Sequence, residues 1–178
     1  MPSERLSAGK SAATEWKIEK IVSDHHIEIH ITPENGYNAN EAVDVARVRK
    51  LALGVLSEVG VVRRLDEIAL VVDEFATNCV EHGDGIREVG FDIQAQDLRV
   101  RTVNRVRPED VRLVTAEQRG KLVNELDNDE AEDGRGMMLT EALADEWNQF
   151  PEGNTIVTYA DFCDVRTDDD PHPFTTAA

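Results

Sequence analysis

The sequence contains no apolar run long enough to cross a bilayer and no apolar core near its N-terminus of the kind that directs secretion. It is poor in cysteine: Cys79 and Cys163 are the only two, too few for a disulfide framework and wrongly spaced for a metal ligand set. Cys79 falls in an apolar helical stripe and Cys163 at the end of a strand-like segment, so both are expected as buried free thiols in a reducing compartment. Basic side chains are scarce as well, with 19 Lys and Arg against 36 Asp and Glu, a net charge of −17. That deficit disfavours nucleic acid and anionic membrane surfaces, since both are bound by neutralising phosphates. The acidity reads first as a device for solubility, and the expected location is the cytoplasm. A chain of 178 residues is long enough for one domain with a substantial core.

What the chain does have is a strongly patterned centre, Asp66 to His82, DEIALVVDEFATNCVEH. Ile68, Val71, Val72, Phe75 and Cys79 recur at the spacing of a helix that buries one face. Glu74, Asn78 and His82 lie four apart and form a polar stripe on another face. A carboxylate one turn before a carboxamide can orient or deprotonate a nucleophile while the amide oxygen ligates a hard cation. The same stripe is also what a solvated helix face looks like.

Around this helix the elements fall in a clear order. Met1 to Thr14 reads as a disordered tail. Glu15 to Thr32 alternates as a pair of strands with one buried face, broken at Ser23-Asp24. His26, Glu28 and His30 share the opposite face of the second strand. Two histidines with no further clear ligand read as a wet face rather than a metal site. PENGYNAN is turn-rich and precedes an amphipathic helix over Glu41 to Val59, which Gly60 is placed to stop. After the central helix come strands at Glu88 to Gln96 and Leu98 to about Arg105. Arg107 to Asp133 includes the acidic run ELDNDEAED and is expected to be a lid or insert. Gly134-Arg135-Gly136 opens a further helix, MMLTEALADEWNQF, and Gly153-Asn154 turns into a last strand, TIVTYADF. Residues 15–163 thus form the domain, and 164–178 are expected to be a disordered acidic tail.

Two strands, two helices, two strands, lid, helix and strand predict an α/β fold. Its economical form is a two-layer sandwich of a mixed, mainly antiparallel sheet with helices on one face. Unpaired amides at a helix start, reached closely through glycine, bind phosphate oxygens. Gly134, Arg135 and Gly136 are therefore candidates for a nucleotide pocket between the central helix and the lid, although a plain turn has the same appearance.

ARVRKLALGVL, then DEIALVVDEFATNCVEHG, then EDGRGMMLTEALADEW resemble the ATPase-like domain of bacterial anti-sigma-factor serine kinases. These are members of the wider superfamily of gyrase, histidine kinases and MutL. The likeness covers about Trp16 to Phe162, and its most specific part is the Glu74, Asn78, His82 stripe. It implies the Bergerat sandwich, with ATP and Mg2+ as cofactors. It further implies Glu74 as general base toward a serine of an anti-anti-sigma partner, and Asn78 as the magnesium ligand. His82 would border the nucleotide, and Gly134, Arg135 and Gly136 would wrap its phosphates. A sigma factor as second partner and a homodimer also follow from the resemblance.

The chain departs from the family at the D-x-G-x-G box before the lid, where Asn104 takes the aspartate position and Val106 and Pro108 the two glycines. The amide oxygen of Asn104 can accept from the adenine amino group, but without charge. Val106 and Pro108 restrict backbone that glycine leaves free. Two functions follow from these residues: a magnesium-ATP-dependent protein serine kinase, or a non-catalytic partner-switching module that has lost ATP binding.

Overall fold

The computed structural model describes residues 14–34, 41–105, 113 and 135–167. The lid over 107–133, most of both expected tails, Gly134, Val106 and Pro108 lie outside the described residues. Nine elements follow in order: β1 (Trp16–Ser23), β2 (His26–Pro33), α1 (Ala42–Glu58), α2 (Leu65–His82), β3 (Ile86–Gln94), β4 (Asp97–Arg105), α3 (Arg135–Leu143), β5 (Glu146–Glu152) and β6 (Thr155–Phe162).

The strands form one sheet in the order β1-β2-β3-β4-β6-β5. Every pairing between neighbours is antiparallel, so the sheet has none of the parallel pairs that the word mixed allowed. Register aligns the apolar residues in rows across it: Ile27, Ile93, Leu98 and Phe162 stand side by side, as do Ile29, Phe91, Val100 and Ala160. All eight are buried. Alternation sends their strand neighbours to the other side, a face that none of the described helices covers. The helices cover the apolar face: α2 packs on β3, β4 and β6, α1 on α2 and β2, and α3 on α2 and β5. This is the two-layer α/β sandwich expected from the sequence.

Each helix start has its own chemistry. Glu41 and Asp44 close a capping box at α1, the Glu41 amide donating to Asp44 Oδ2 at 3.2 Å. Before α2, Arg64 adopts left-handed backbone, φ 58°. Its guanidinium holds it there, donating to Glu67 at 2.8 Å, to Asp145 at 2.5 Å and to the Leu143 carbonyl at 2.5 Å, and lying 5.0 Å over the Phe162 ring. Strain at one residue is thereby offset by contacts that tie α2 to the end of α3.

Four expectations change. The helix after Gly136 ends at Leu143, and EWNQFPE forms β5 instead of continuing it. Gly153, with φ 62°, fits the first central position of a tight hairpin turn, and such a turn needs a strand on both sides. β1 buries no face among the described residues: it is an edge strand with Ile18, Ile21 and Val22 exposed, because none of the described helices packs over it. Cys163 is exposed, since β6 stops at Phe162 and the chain turns outward there, whereas Cys79 is buried as expected. The ordered chain also runs past residue 163: Val165 is fully buried, its carbonyl accepts from the amides of Val62 and Arg63, and its amide donates to Gln96. No helix among the described residues is long and apolar enough to cross a membrane.

Phe75 is among the largest fully enclosed side chains of α2 and faces the sheet. Phe75→Ala should cost about 3–5 kcal/mol of unfolding free energy. Leu70→Ala, on the solvent side of the same helix, should cost less than about 1 kcal/mol. Urea unfolding of the two variants checks the contrast.

Candidate functional site

The apolar stripe of α2 fixes the rest of that helix. With Ile68, Val71, Val72, Phe75, Ala76 and Cys79 sealed against the sheet and its neighbours, Glu74 and Asn78 are held half-buried on an adjoining face. Asn78 points toward α3: its Nδ2 lies 3.5 Å from Met137 Sδ, a weak contact that leaves the amide oxygen available as a ligand. His82 ends the stripe and is exposed. Arg135 and Gly136 form the start of α3, the helix whose Met137 touches Asn78.

The surroundings of Glu74 weaken its acidity. Burial raises its pKa above the ordinary glutamate value, and the nearby charges of Asp73 and Glu81 add to the effect. Asp73 is raised by burial too, although Arg49, which donates to it at 2.9 Å, opposes the shift. A carboxylate that holds its proton more tightly is a better base, which suits proton abstraction from a hydroxyl. Cys79, one residue beyond Asn78 and fully enclosed, has its thiol pushed up to about 12 by burial, with a hydrogen bond to Thr102 opposing. It is inert packing, not a nucleophile.

Asn104 lies on the helix-covered side of β4, buried, between Ile86 and Ile156 of the flanking strands. It meets the end of α2 rather than the stripe itself. A Cβ on Gly83 would lie 2.6 Å from Asn104 Nδ2 and 2.9 Å from the Cys79 carbonyl oxygen. Glycine is what lets the two elements approach, and the Asp84 amide clamps the junction by donating to the Arg105 carbonyl at 2.9 Å.

The structure thus joins Asn78 to α3 and Asn104 to the end of α2. Gly134 and the lid side of the expected pocket lie outside the described residues. A cavity of about 560 Å³ lies elsewhere, between α1 and α2, lined by Val45, Arg49, Leu53, Asp73 and Thr77 among others. Asp73 and Thr77 each stand one residue before a member of the polar stripe, about 100° round the helix, so this cavity adjoins the Glu74 face without containing it. Gly83 and Met137 were not singled out from the sequence. The glycine after the stripe was the only signal for the first, and nothing in the apolar helix pattern distinguished the second.

Compared with known families, residues 38–159 match the model of the histidine kinase-like ATPase domain. No curated protein matches the chain.

Because the folded-state pKa of Glu74 is raised, the stability linked to this group is present below the unfolded value and is lost as pH rises through the folded value. Glu74→Gln should therefore melt higher than the parent at pH 7, and the difference should vanish below about pH 4. Calorimetric melting at the two pH values tests this, and an equal or lower Tm for the variant at pH 7 would mean that the site does not penalise the charge.

Proposed function

We propose that this chain, which belongs to the histidine kinase-like ATPase domain family, is an ATP-binding regulatory protein of the anti-sigma-factor serine kinase type acting in the cytoplasm. It would bind a sigma factor and phosphorylate a serine of an anti-anti-sigma partner, with a second copy of itself as a further partner. The observation that carries the reading is the half-buried, weakly acidic Glu74 one turn before Asn78 on the α2 face next to α3.

Magnesium-ATP, when bound, supplies the phosphoryl group and the metal that neutralises its charge. The residues fit such a ligand: Asn78 offers an amide oxygen of the kind hard cations take, and Arg135 and Gly136 lie at the start of α3, where helix-start amides suit phosphate oxygens; Gly134, next to them in sequence, would serve the same phosphates. Asn104 would accept from the adenine amino group through its amide oxygen, and His82 would border the nucleotide at the exposed end of the stripe. Glu74 would orient the partner's serine hydroxyl and accept its proton, and Asn78 would hold the metal ion; the bound nucleotide would supply the phosphoryl group, with ADP as the leaving group.

A second reading is favoured by Asn104, Val106 and Pro108, which replace an aspartate and two glycines. It makes the chain a non-catalytic partner-switching module whose acidic surface steers association.

Calorimetric titration with ATP, with and without magnesium, decides between them. The kinase reading expects magnesium-dependent binding that Asn78→Ala weakens about tenfold or more. It also expects Glu74→Gln to bind nucleotide normally while phosphate transfer to a serine-bearing partner domain falls by about 100-fold or more. No binding at millimolar nucleotide would leave the non-catalytic module, and a fully active Glu74→Gln protein would remove the general-base role.

A further inference from the structure

The open face of the sheet, opposite the helices, carries a cluster that the strand pattern only half revealed. Alternation along β2 puts His26, Glu28 and His30 on this face, and register places Asp92 of β3 directly across from Glu28. Two carboxylates at facing positions repel each other. His26 stands beside both, its Nε2 2.8 Å from Asp92 Oδ1 and 3.8 Å from Glu28 Oε1. One donor atom from each of the three lies within 4.8 Å of the others, and all three residues are half-buried.

Among the described residues, the neighbouring arginines give their hydrogen bonds to other carboxylates. Arg99 stands across from Asp92 in register and feels its charge, but its two-pronged bond goes to Asp161, at 2.7 and 2.8 Å. Arg101 donates to Glu88 at 2.6 Å and lies 3.3 Å from His30 Nδ1. Gln94 gives Asp92 one long contact of 3.4 Å, which brings no charge. Glu88 also lies 2.9 Å from His30 Nδ1. With the ring proton on Nδ1 toward Glu88, the His30 Nε2 is free to serve as a ligand. Nε2 lies 3.6 Å from Glu28 Oε2. A carboxylate fixing the far nitrogen of an imidazole is how metal-binding histidines are commonly oriented.

We propose that His26, Glu28 and Asp92 bind a divalent transition-metal ion of the zinc class on the open face of the sheet, with the Nε2 of His30 completing or orienting the set. The imidazole nitrogen and carboxylate oxygens select zinc-like ions over magnesium or calcium, which take oxygen alone. Bonds of about 2.0–2.2 Å require donors about 3.3–3.5 Å apart. Small side-chain rotations bring them to that spacing, since the backbone is fixed by pairing on both sides of β2. This site is on the opposite side of the sheet from Glu74 and Asn78 and needs no nucleotide.

The test is titration of the nucleotide-free, full-length protein with Co2+, followed by visible absorption, and with Zn2+, followed by calorimetry. One equivalent should bind, Co2+ should develop the absorption bands of an N/O-ligated ion, and Mg2+ at the same concentration should neither bind nor compete. His26→Ala and the nearly isosteric Asp92→Asn should each weaken Zn2+ affinity at least tenfold, with unchanged far-ultraviolet circular dichroism establishing that both fold. Absence of binding in the parent would overturn the proposal and leave His26 and His30 as partners in ion pairs only. Unaltered affinity in both folded variants would overturn it as well, by showing that the metal sits at another place. Neither result depends on ATP, so failure here leaves the kinase reading untouched.

Discussion

The structure depends on one packing constraint: α2 must seal an apolar stripe against the rows of Ile, Val and Phe that antiparallel register assembles across the sheet. Burial of that stripe fixes the rotation of the helix about its axis, because a turn of 100° would drive Glu74 into the buried place of Phe75 and carry Val72 and Ala76 out toward the surface. Each buried aliphatic or aromatic side chain contributes about 1.5–3 kcal/mol relative to exposure, so the orientation is strongly determined. The placement of Glu74 and Asn78 beside α3 is a consequence of it. The polar stripe is held by the apolar one, which is how Glu74 and Asn78 keep their place on the helix with little hydrogen-bonded scaffold of their own.

Arginine does the electrostatic work in a chain of net charge −17. Arg64 joins α2 to the α3–β5 link, and Arg99 joins β4 to β6 while lying 4.1 Å over the Tyr159 ring. Arg101 joins β4 to Glu88 of β3. These pairs are partly exposed, so each is worth about 1 kcal/mol or less. Their larger effect is on where negative charge is left over. With these guanidiniums committed, Glu28 and Asp92 face each other on one side of the sheet, and Glu74 sits among Asp73 and Glu81 on the other. Unbalanced acidity concentrates at two places suited to a cation.

How much was legible follows from the range of each signal. Strong periodicity gave α1, α2 and both flanking hairpins, since core rows and turns are written locally in alternation and in dipeptides such as Gly153-Asn154. Leu143 and Trp147 are four apart and so imitate helix. Only the pairing of Trp147 with Ala160 on β6 makes that segment a strand, and pairing is not local. Cys163 continues an apolar run in the sequence but stands just beyond the end of β6, where exposure is set by the turn. The polar stripe was readable because a helix brings residues four apart together. The cluster at His26 was not, because Asp92 is 66 residues away and reaches His26 through sheet register alone.

The asparagine at position 104 can be understood through its local contacts. Asn104 presents its amide nitrogen where the last turn of α2 ends, near the carbonyl oxygens of Cys79 and Arg105 that gather round Gly83. A helix C-terminus carries partial negative charge, and carbonyl oxygens have nothing to donate. An aspartate at 104 would put a full negative charge near them, buried, whereas an amide can turn a donor toward the helix. In this chain the close approach of α2 and β4, made possible by Gly83, favours the neutral side chain. Asn104 is thus accounted for by the packing of the α2–β4 junction before any ligand is considered.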